Sequence, residues 1–360
     1  MLVHAVRDRQ TGAPMSKARI LGQMLLAKLP APVVGMVYSG RLAQVDGRRI
    51  DPKAQAIGDL INAVRDPAAP QTLEDSRAGI RKMCELFDLP CPDAVTKTDI
   101  LLPGAAGDRP ARIYDAVQAG HDGLRPTLLY LHGGGWVQGD LDTHDGLCGR
   151  LALWAEIRVV SYDYRLAPEH KYPAAADDVL AVFSALRDRG GDWGVDAARL
   201  AVGGDSAGAN LTAGLLHDLA GLGAAMPAAQ LLIYPGVDIS LDSRSMVMLA
   251  DAYVLTAERI RWYLDFYFEA DADRRDPRAS PILSDRLAGQ PPALVIAAGH
   301  DPLWDDALGY AAKLREAGGE VDLLEYPGQV HGFMSLTRTI PQGLEATRAA
   351  ADWLRRQIGG

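Results

Sequence analysis

The residues of this 360-residue chain that could do chemistry together are a serine between glycines, a histidine ahead of three glycines, and a late aspartate and histidine. Gly204-Asp205-Ser206-Ala207-Gly208 lies between a strand-like run and a helix-period run. A serine on a tight strand-to-helix turn needs small neighbours, because the chain folds back closely and leaves little room for side chains. The helix that follows directs amide N–H groups and a positive dipole end toward charge forming at the serine. By itself the five-residue pattern is weak, since Gly, Ser and Ala are common here.

Upstream, TLLYLHGGGW places His132-Gly133-Gly134-Gly135 at the end of an apolar strand. Three consecutive glycines let backbone amides face inward without obstruction, and a loop of this type cradles the oxyanion in lipases and esterases. A tetrahedral intermediate needs two or three fixed donors, each worth roughly 10²–10³ in rate. The N–H groups of Gly133, Gly134 and Ala207 are the candidates. A phosphate cradle is the rival, but the loop lacks the Lys-Ser/Thr pair of a P-loop.

A nucleophilic serine needs a base, and on such a turn the chain order is Ser, acid, His. Two histidines follow Ser206 at strand ends: His300, after ALVIAAG, and His331, after VDLLEYPGQV. His331 follows the last strand, at the carboxyl edge of the sheet where such sites lie. Asp301 ends the preceding strand and can orient the imidazole. The alternative is that Asp301 only caps the next helix and Asp305 is the orienting acid. Trp136 beside the glycine loop and Asp205 beside the serine are candidate substrate-binding residues. Glu169 and Asp163 in YDYRLAPEH fit a buttress for the glycine loop or a turn better than catalysis. The other histidines, His4, His121, His132, His144, His170, His217 and His300, have no metal-ligand spacing and read as surface or structural residues. No metal is implied.

From about residue 97, eight strand-like runs alternate with helix-period stretches such as 174–189, 307–317 and 344–357. Several later runs are apolar almost throughout, as strands covered on both faces must be. The alternation predicts a mostly parallel eight-stranded sheet flanked by helices. Two segments do not fit it. Residues 1 to about 90 read as helices broken by Pro and Gly, and about 237–290 carry Trp262, Tyr263, Phe266, Tyr267 and Phe268. They are candidates for a helical cap built from two pieces, which leaves 91–236 and 291–360 as the catalytic domain. The aromatic run reads first as helix packing and second as a substrate-facing wall.

The composition, 48% hydrophobic and 23% charged, supplies a buried core and lacks a disordered signature. A net charge of −9 argues against nucleic acid or an anionic membrane as the main partner. Cys84, Cys91 and Cys148 suit neither a disulfide framework nor a zinc site, and a reducing cytoplasm is the simplest setting. The first residues lack the apolar stretch of a signal peptide. Residues 20–38 are too interrupted by Lys28, Pro30 and Pro32 to span a membrane.

Taken together, HGGGW, YDYRLAPE, GDSAG, Asp301-Pro302-Leu303 and His331-Gly332-Phe333 resemble the hormone-sensitive-lipase family of α/β-hydrolases, over roughly residues 97–358. The resemblance implies Ser206, Asp301 and His331 as nucleophile, acid and base, with Gly133, Gly134 and Ala207 as oxyanion donors. It further implies a carboxylesterase acting on short to medium acyl esters, frequently as a homodimer. The two-step acyl transfer requires no cofactor, and its partner is a small-molecule ester. Amidase, thioesterase or lactonase activity would use the same triad. Plant hormone receptors of this fold are binding proteins that lack the catalytic histidine, which is in place here.

Overall fold

The computed structural model describes residues 6–7, 14–15, 17–64, 72–116 and 123–359. The eight strand-like runs form one sheet: β1 (Val95–Leu102), β2 (Arg109–Ala116), β3 (Arg125–Leu131), β4 (Arg158–Tyr162), β5 (Val195–Asp205), β6 (Gln230–Ile233), β7 (Ala293–His300) and β8 (Val321–Val330). Their spatial order is β8-β7-β6-β5-β3-β4-β2-β1. β2 runs antiparallel to both β1 and β4, and every other pairing is parallel.

Ahead of the sheet lie α1 (Lys17–Lys28), α2 (Ala31–Val37), α3 (Pro52–Val64) and α4 (Leu73–Phe87). Helices α5 (Asp145–Ala155), α6 (Ala174–Arg189) and α7 (Ala207–Leu222) follow β3, β4 and β5. Between β6 and β7 come α8 (Arg244–Met248) and α9 (Ala257–Tyr267), and α10 (Trp304–Glu316) and α11 (Gln342–Ile358) follow β7 and β8. Thr72 starts α4 by accepting the Asp75 amide at 3.0 Å, and Thr256 starts α9 by accepting the Arg259 amide at 3.1 Å. Such caps satisfy amides that have no partner inside the helix, and each is typically worth about 1 kcal/mol.

Alternate residues of a strand serve opposite faces of the sheet. Leu128 and Tyr130 of β3 join the apolar layer that holds Leu151 of α5 and Leu354 of α11. Leu129 and Leu131 join Val179 and Phe183 of α6 and Leu211 of α7. Both faces are thus covered, which is why the inner strands read as unbroken apolar runs. The helical segments outside the alternation share these layers: Ile57 and Leu60 of α3 enter the first, Ile260 and Leu264 of α9 the second.

Register decides what meets at the carboxyl edge. Asp205 of β5 pairs with Ile233 of β6, and Gly204 pairs with Leu131 of β3. At the neighbouring pair, His300 of β7 pairs with Val330 of β8. The residues that follow β3, β5, β7 and β8, which are His132, Ser206, Asp301 and His331, therefore leave the sheet at the same edge. Among the described residues no helix is long and apolar enough to cross a membrane, and all three cysteines are free thiols.

His300 ends β7 inside the protein, where its buried Nε2 has no hydrogen-bond partner among the described residues. Nearby, Arg48 donates from Nε to the Gly299 carbonyl at 3.0 Å. Burial pushes the His300 pKa from 6.5 down to about 4, against a hydrogen bond to the Arg48 backbone that favours the charged ring. The unfolded chain takes up this proton as pH falls through 6.5, whereas the native state takes it up only near 4, so stability is lost on acidification across that window. Urea titrations between pH 7 and 4 should show His300→Gln losing less stability than the parent, by up to about 3 kcal/mol at the acid end.

Candidate active site

Ser206 sits between the end of β5 and the start of α7 at φ +53° and ψ −116°. A residue with a Cβ avoids this region, so its surroundings must hold it there. Its N–H donates to the Ile233 carbonyl at 2.8 Å, and its carbonyl accepts the Asn210 amide at 3.0 Å. A Cβ on Gly204 or Gly208 would collide with the Leu131 carbonyl. The two glycines of the pentapeptide are thus explained by the close crossing of β3, β5 and α7.

His331 accepts toward Ser206, with Nε2 and Oγ 2.9 Å apart. On the other side of the ring, Nδ1 is 2.6 Å from Asp301 Oδ2. A neutral imidazole donating from Nδ1 to the carboxylate leaves Nε2 as an acceptor for the serine hydroxyl. Asp301 is fully buried, and its Oδ1 accepts the Leu303 amide at 3.0 Å. Orienting the histidine and capping the following turn are therefore one job done by two oxygens of the same carboxylate. Asp305 accepts the Ser245 amide at 2.7 Å instead. The Tyr234 ring packs 4.8 Å from the His331 ring.

The glycine loop departs from the sequence expectation at one donor. The Gly133 N–H points at Asp205 Oδ1, 2.9 Å away, and an amide has a single proton to give. Gly133 is therefore an anchor of the loop and not a donor into the cavity. Among the described residues, the amides of Gly134, Gly135 and Ala207 donate to no protein acceptor, and all three residues line the cavity at Ser206. For Ala207 the reason is its place in the first turn of α7, where amides have no partner inside the helix. Gly135 was not among the sequence candidates, although the third glycine of the HGGG run was there to be read.

Asp205 lines the cavity too, and one of its oxygens is committed inside the protein. Its Oδ1 accepts the Tyr130 hydroxyl at 2.7 Å as well as the Gly133 amide, and His144 Nε2 lies 3.1 Å away. Burial works against the charge of Asp205, but His144 and the hydrogen bonds outweigh it and hold the pKa below the ordinary carboxylate range. His144 is buried too; burial disfavours its charge, and Asp205 more than compensates, so its pKa is raised. Neither periodicity nor motif had set His144 apart from the other histidines.

A cavity of about 590 Å³ opens over Ser206, lined on its far side by Met24, Ile61, Met83 and Phe87 of the early helices and by Ile260 and Tyr263 of α9. Trp136 also borders it, with its ring stacked on Tyr267 at 4.5 Å. Of the aromatic run only Tyr263 reaches the cavity; Trp262, Phe266, Tyr267 and Phe268 pack against the core and one another. A helix presents one face inward every three to four residues, so a contiguous run cannot all face one wall.

Glu169 pairs with Arg77 of α4 at 2.7 Å, and Arg77 donates to the carbonyls of Val137 and Ala167. This acid braces the segment after the glycine loop, and Asp163 lies 3.7 Å from His132 Nε2. His132 stacks on Tyr164 at 4.4 Å, His217 bonds the Ser284 hydroxyl at 2.8 Å, and His170 is exposed. His4 and His121 lie outside the described residues. Among the described residues no cluster of three or more His, Cys, Asp or Glu could hold a metal ion.

Residues 128–335 match the family described as alpha/beta hydrolase fold. The chain is 41% identical to the carboxylic ester hydrolase LipN of Mycobacterium tuberculosis, over 88% of this chain and 85% of that protein. It is 38% identical to the ethyl acetate hydrolase of Pseudomonas putida, over 69% of this chain and 79% of that protein. A solved ester hydrolase from the metagenome of Lake Arreo, in complex with a bipyridine phosphonate derivative, superposes with a TM-score of 0.83 at 40% identity. The match covers 86% of this chain and all of that one.

The crossing behind the serine has a measurable consequence. In Gly208→Ala the new methyl group meets the backbone carbonyls of Leu131 and His132 rather than a movable side chain. The substitution should lower stability by about 1–3 kcal/mol despite alanine's better helix propensity. Urea unfolding monitored by circular dichroism reads the loss; an unchanged midpoint would mean that the crossing is slack.

Proposed function

The chain belongs to the α/β-hydrolase family, of the hormone-sensitive-lipase type, and we propose that it is a serine carboxylesterase working through Ser206, His331 and Asp301. The observation that carries this reading is the continuous relay from Asp301 Oδ2 through the His331 ring to Ser206 Oγ, with contacts of 2.6 and 2.9 Å. His331 takes the serine proton as Oγ attacks the ester carbonyl, and then delivers it to the leaving alcohol. Water, deprotonated by the same histidine, attacks the acyl-enzyme and releases the acid. Asp301 stays ionised and holds the ring in its tautomer. The oxyanion falls to the amides of Gly134, Gly135 and Ala207, which line the cavity with no protein acceptor among the described residues. The steps require no cofactor.

The substrate is a small ester of short to medium acyl chain, and the cavity volume lies in the range of sites that enclose a whole small molecule. Helices α1 to α4 together with α8 and α9 act as the cap over it. Homodimerisation completes the proposal on the family resemblance alone, and a cytoplasmic setting on the three free cysteines.

Two variants and one probe test the mechanism. A fluorophosphonate should label Ser206 stoichiometrically, and Ser206→Ala should lose both labelling and p-nitrophenyl ester hydrolysis. Asp301→Asn should lower kcat by about 10⁴, as in the best-studied triad, because the ring then settles in the wrong tautomer. Esters, thioesters, lactones and anilides sharing one acyl group decide the leaving group. Folded parent protein that neither labels nor hydrolyses any of them sinks the reading.

A further inference from the structure

His144 lies in the loop between the glycine run and α5, and both of its ring nitrogens have hydrogen-bond partners. Nε2 meets Asp205 Oδ1 at 3.1 Å, and Nδ1 lies 2.9 Å from Thr143 Oγ1. Thr143 Oγ1 also lies 2.8 Å from the Asp140 carbonyl, so its single proton serves either that carbonyl or Nδ1. The carboxylate oxygen of Asp205 accepts, so the ring donates to it from Nε2, and the buried carboxylate beside it favours the protonated ring.

Asp205 precedes Ser206 in the chain, and the same Oδ1 holds the Gly133 amide at 2.9 Å. A single oxygen thus ties the start of the glycine loop to the residue bonded to the serine. There is no slack on the other side, because a Cβ at Gly133 would collide with Asp205 Oδ2.

We propose that His144 is a positioning residue of the acyl-transfer reaction: it fixes Asp205 Oδ1 and thereby sets the distance from the amides of Gly134 and Gly135 to Ser206. The inference rests on the reading of Ser206 as nucleophile. Without the Nε2 donor, a carboxylate removed from water takes up a proton or turns toward another donor. Either change loosens the Gly133 anchor and shifts the two amides that follow. Donors to an oxyanion act mainly in the transition state, so their displacement lowers kcat and leaves KM nearly unchanged.

Kinetics of p-nitrophenyl ester hydrolysis by the full chain decide it. In His144→Leu, kcat should fall about 10- to 100-fold with KM within about threefold of the parent. His144→Gln keeps a donor near the Nε2 position and should recover part of the loss, which a role in packing alone would not produce. If the leucine variant does not fold, Tyr130→Phe decides instead. It removes a second donor from the same oxygen and keeps the ring, and it should show a smaller loss confined to kcat. Ser206→Ala is measured alongside. An inactive Ser206→Ala beside a folded His144→Leu of parental kcat, or one whose loss lies in KM, overturns the positioning role alone. If Ser206→Ala still hydrolyses the ester, the nucleophile and the positioning role both fall.

Discussion

The rest of the structure depends on holding Ser206 in a backbone conformation that residues with a Cβ avoid, φ +53° with ψ −116°. Such a residue costs on the order of 1–3 kcal/mol and persists only where its neighbours leave no alternative. Here the constraint comes from three directions. The Ser206 amide is taken by Ile233 of β6, its carbonyl caps into α7 through Asn210, and the Leu131 carbonyl of β3 fills the space where side chains at 204 and 208 would stand. Buried strands on both sides of β5 make these contacts stiff, and the serine oxygen is thereby presented to the cavity.

Two buried carboxylates flank this turn, and their comparison explains how the site is organised. Each is met by a histidine and by a backbone amide: Asp301 by His331 and Leu303, Asp205 by His144 and Gly133. Removing a carboxylate from water costs several kcal/mol unless partners replace the hydration, so each acid needs its set. The two pairs differ in what lies beyond the histidine. His331 has Ser206 on its second nitrogen, in a cavity, and is free to exchange a proton with a reacting group. His144 has the Thr143 oxygen on its second nitrogen and is buried at the cavity wall, held between two fixed partners. One histidine is placed to move a proton and the other to hold a carboxylate in place.

Much of this was legible in the chain because the signals are local. The eight strands and helices such as 174–189 follow from apolar period and length, and the glycines around Ser206 mark a tight turn wherever they occur. What escaped were partnerships between segments. That the Gly133 amide is committed depends on Asp205, which belongs to a different strand. The choice between Asp301 and Asp305 likewise turns on Ser245, which reaches over from α8 to occupy Asp305. The aromatic run of α9 shows the same limit: composition cannot say which residue of a helix faces a cavity and which faces the core.

The sequence by itself determined the element types, their order, and the identity of the groups able to attack, to carry a proton and to orient a ring. These follow from side-chain chemistry and from periodicities set by the backbone geometry of one segment at a time. Only the tertiary structure decided which groups meet. The register of β7 on β8 brings Asp301 beside His331, and the placement of β5 between β3 and β6 brings Asp205 under the glycine loop. The physical reason is that strand pairing and helix packing are chosen by burial summed over the whole core, which no single stretch of residues encodes.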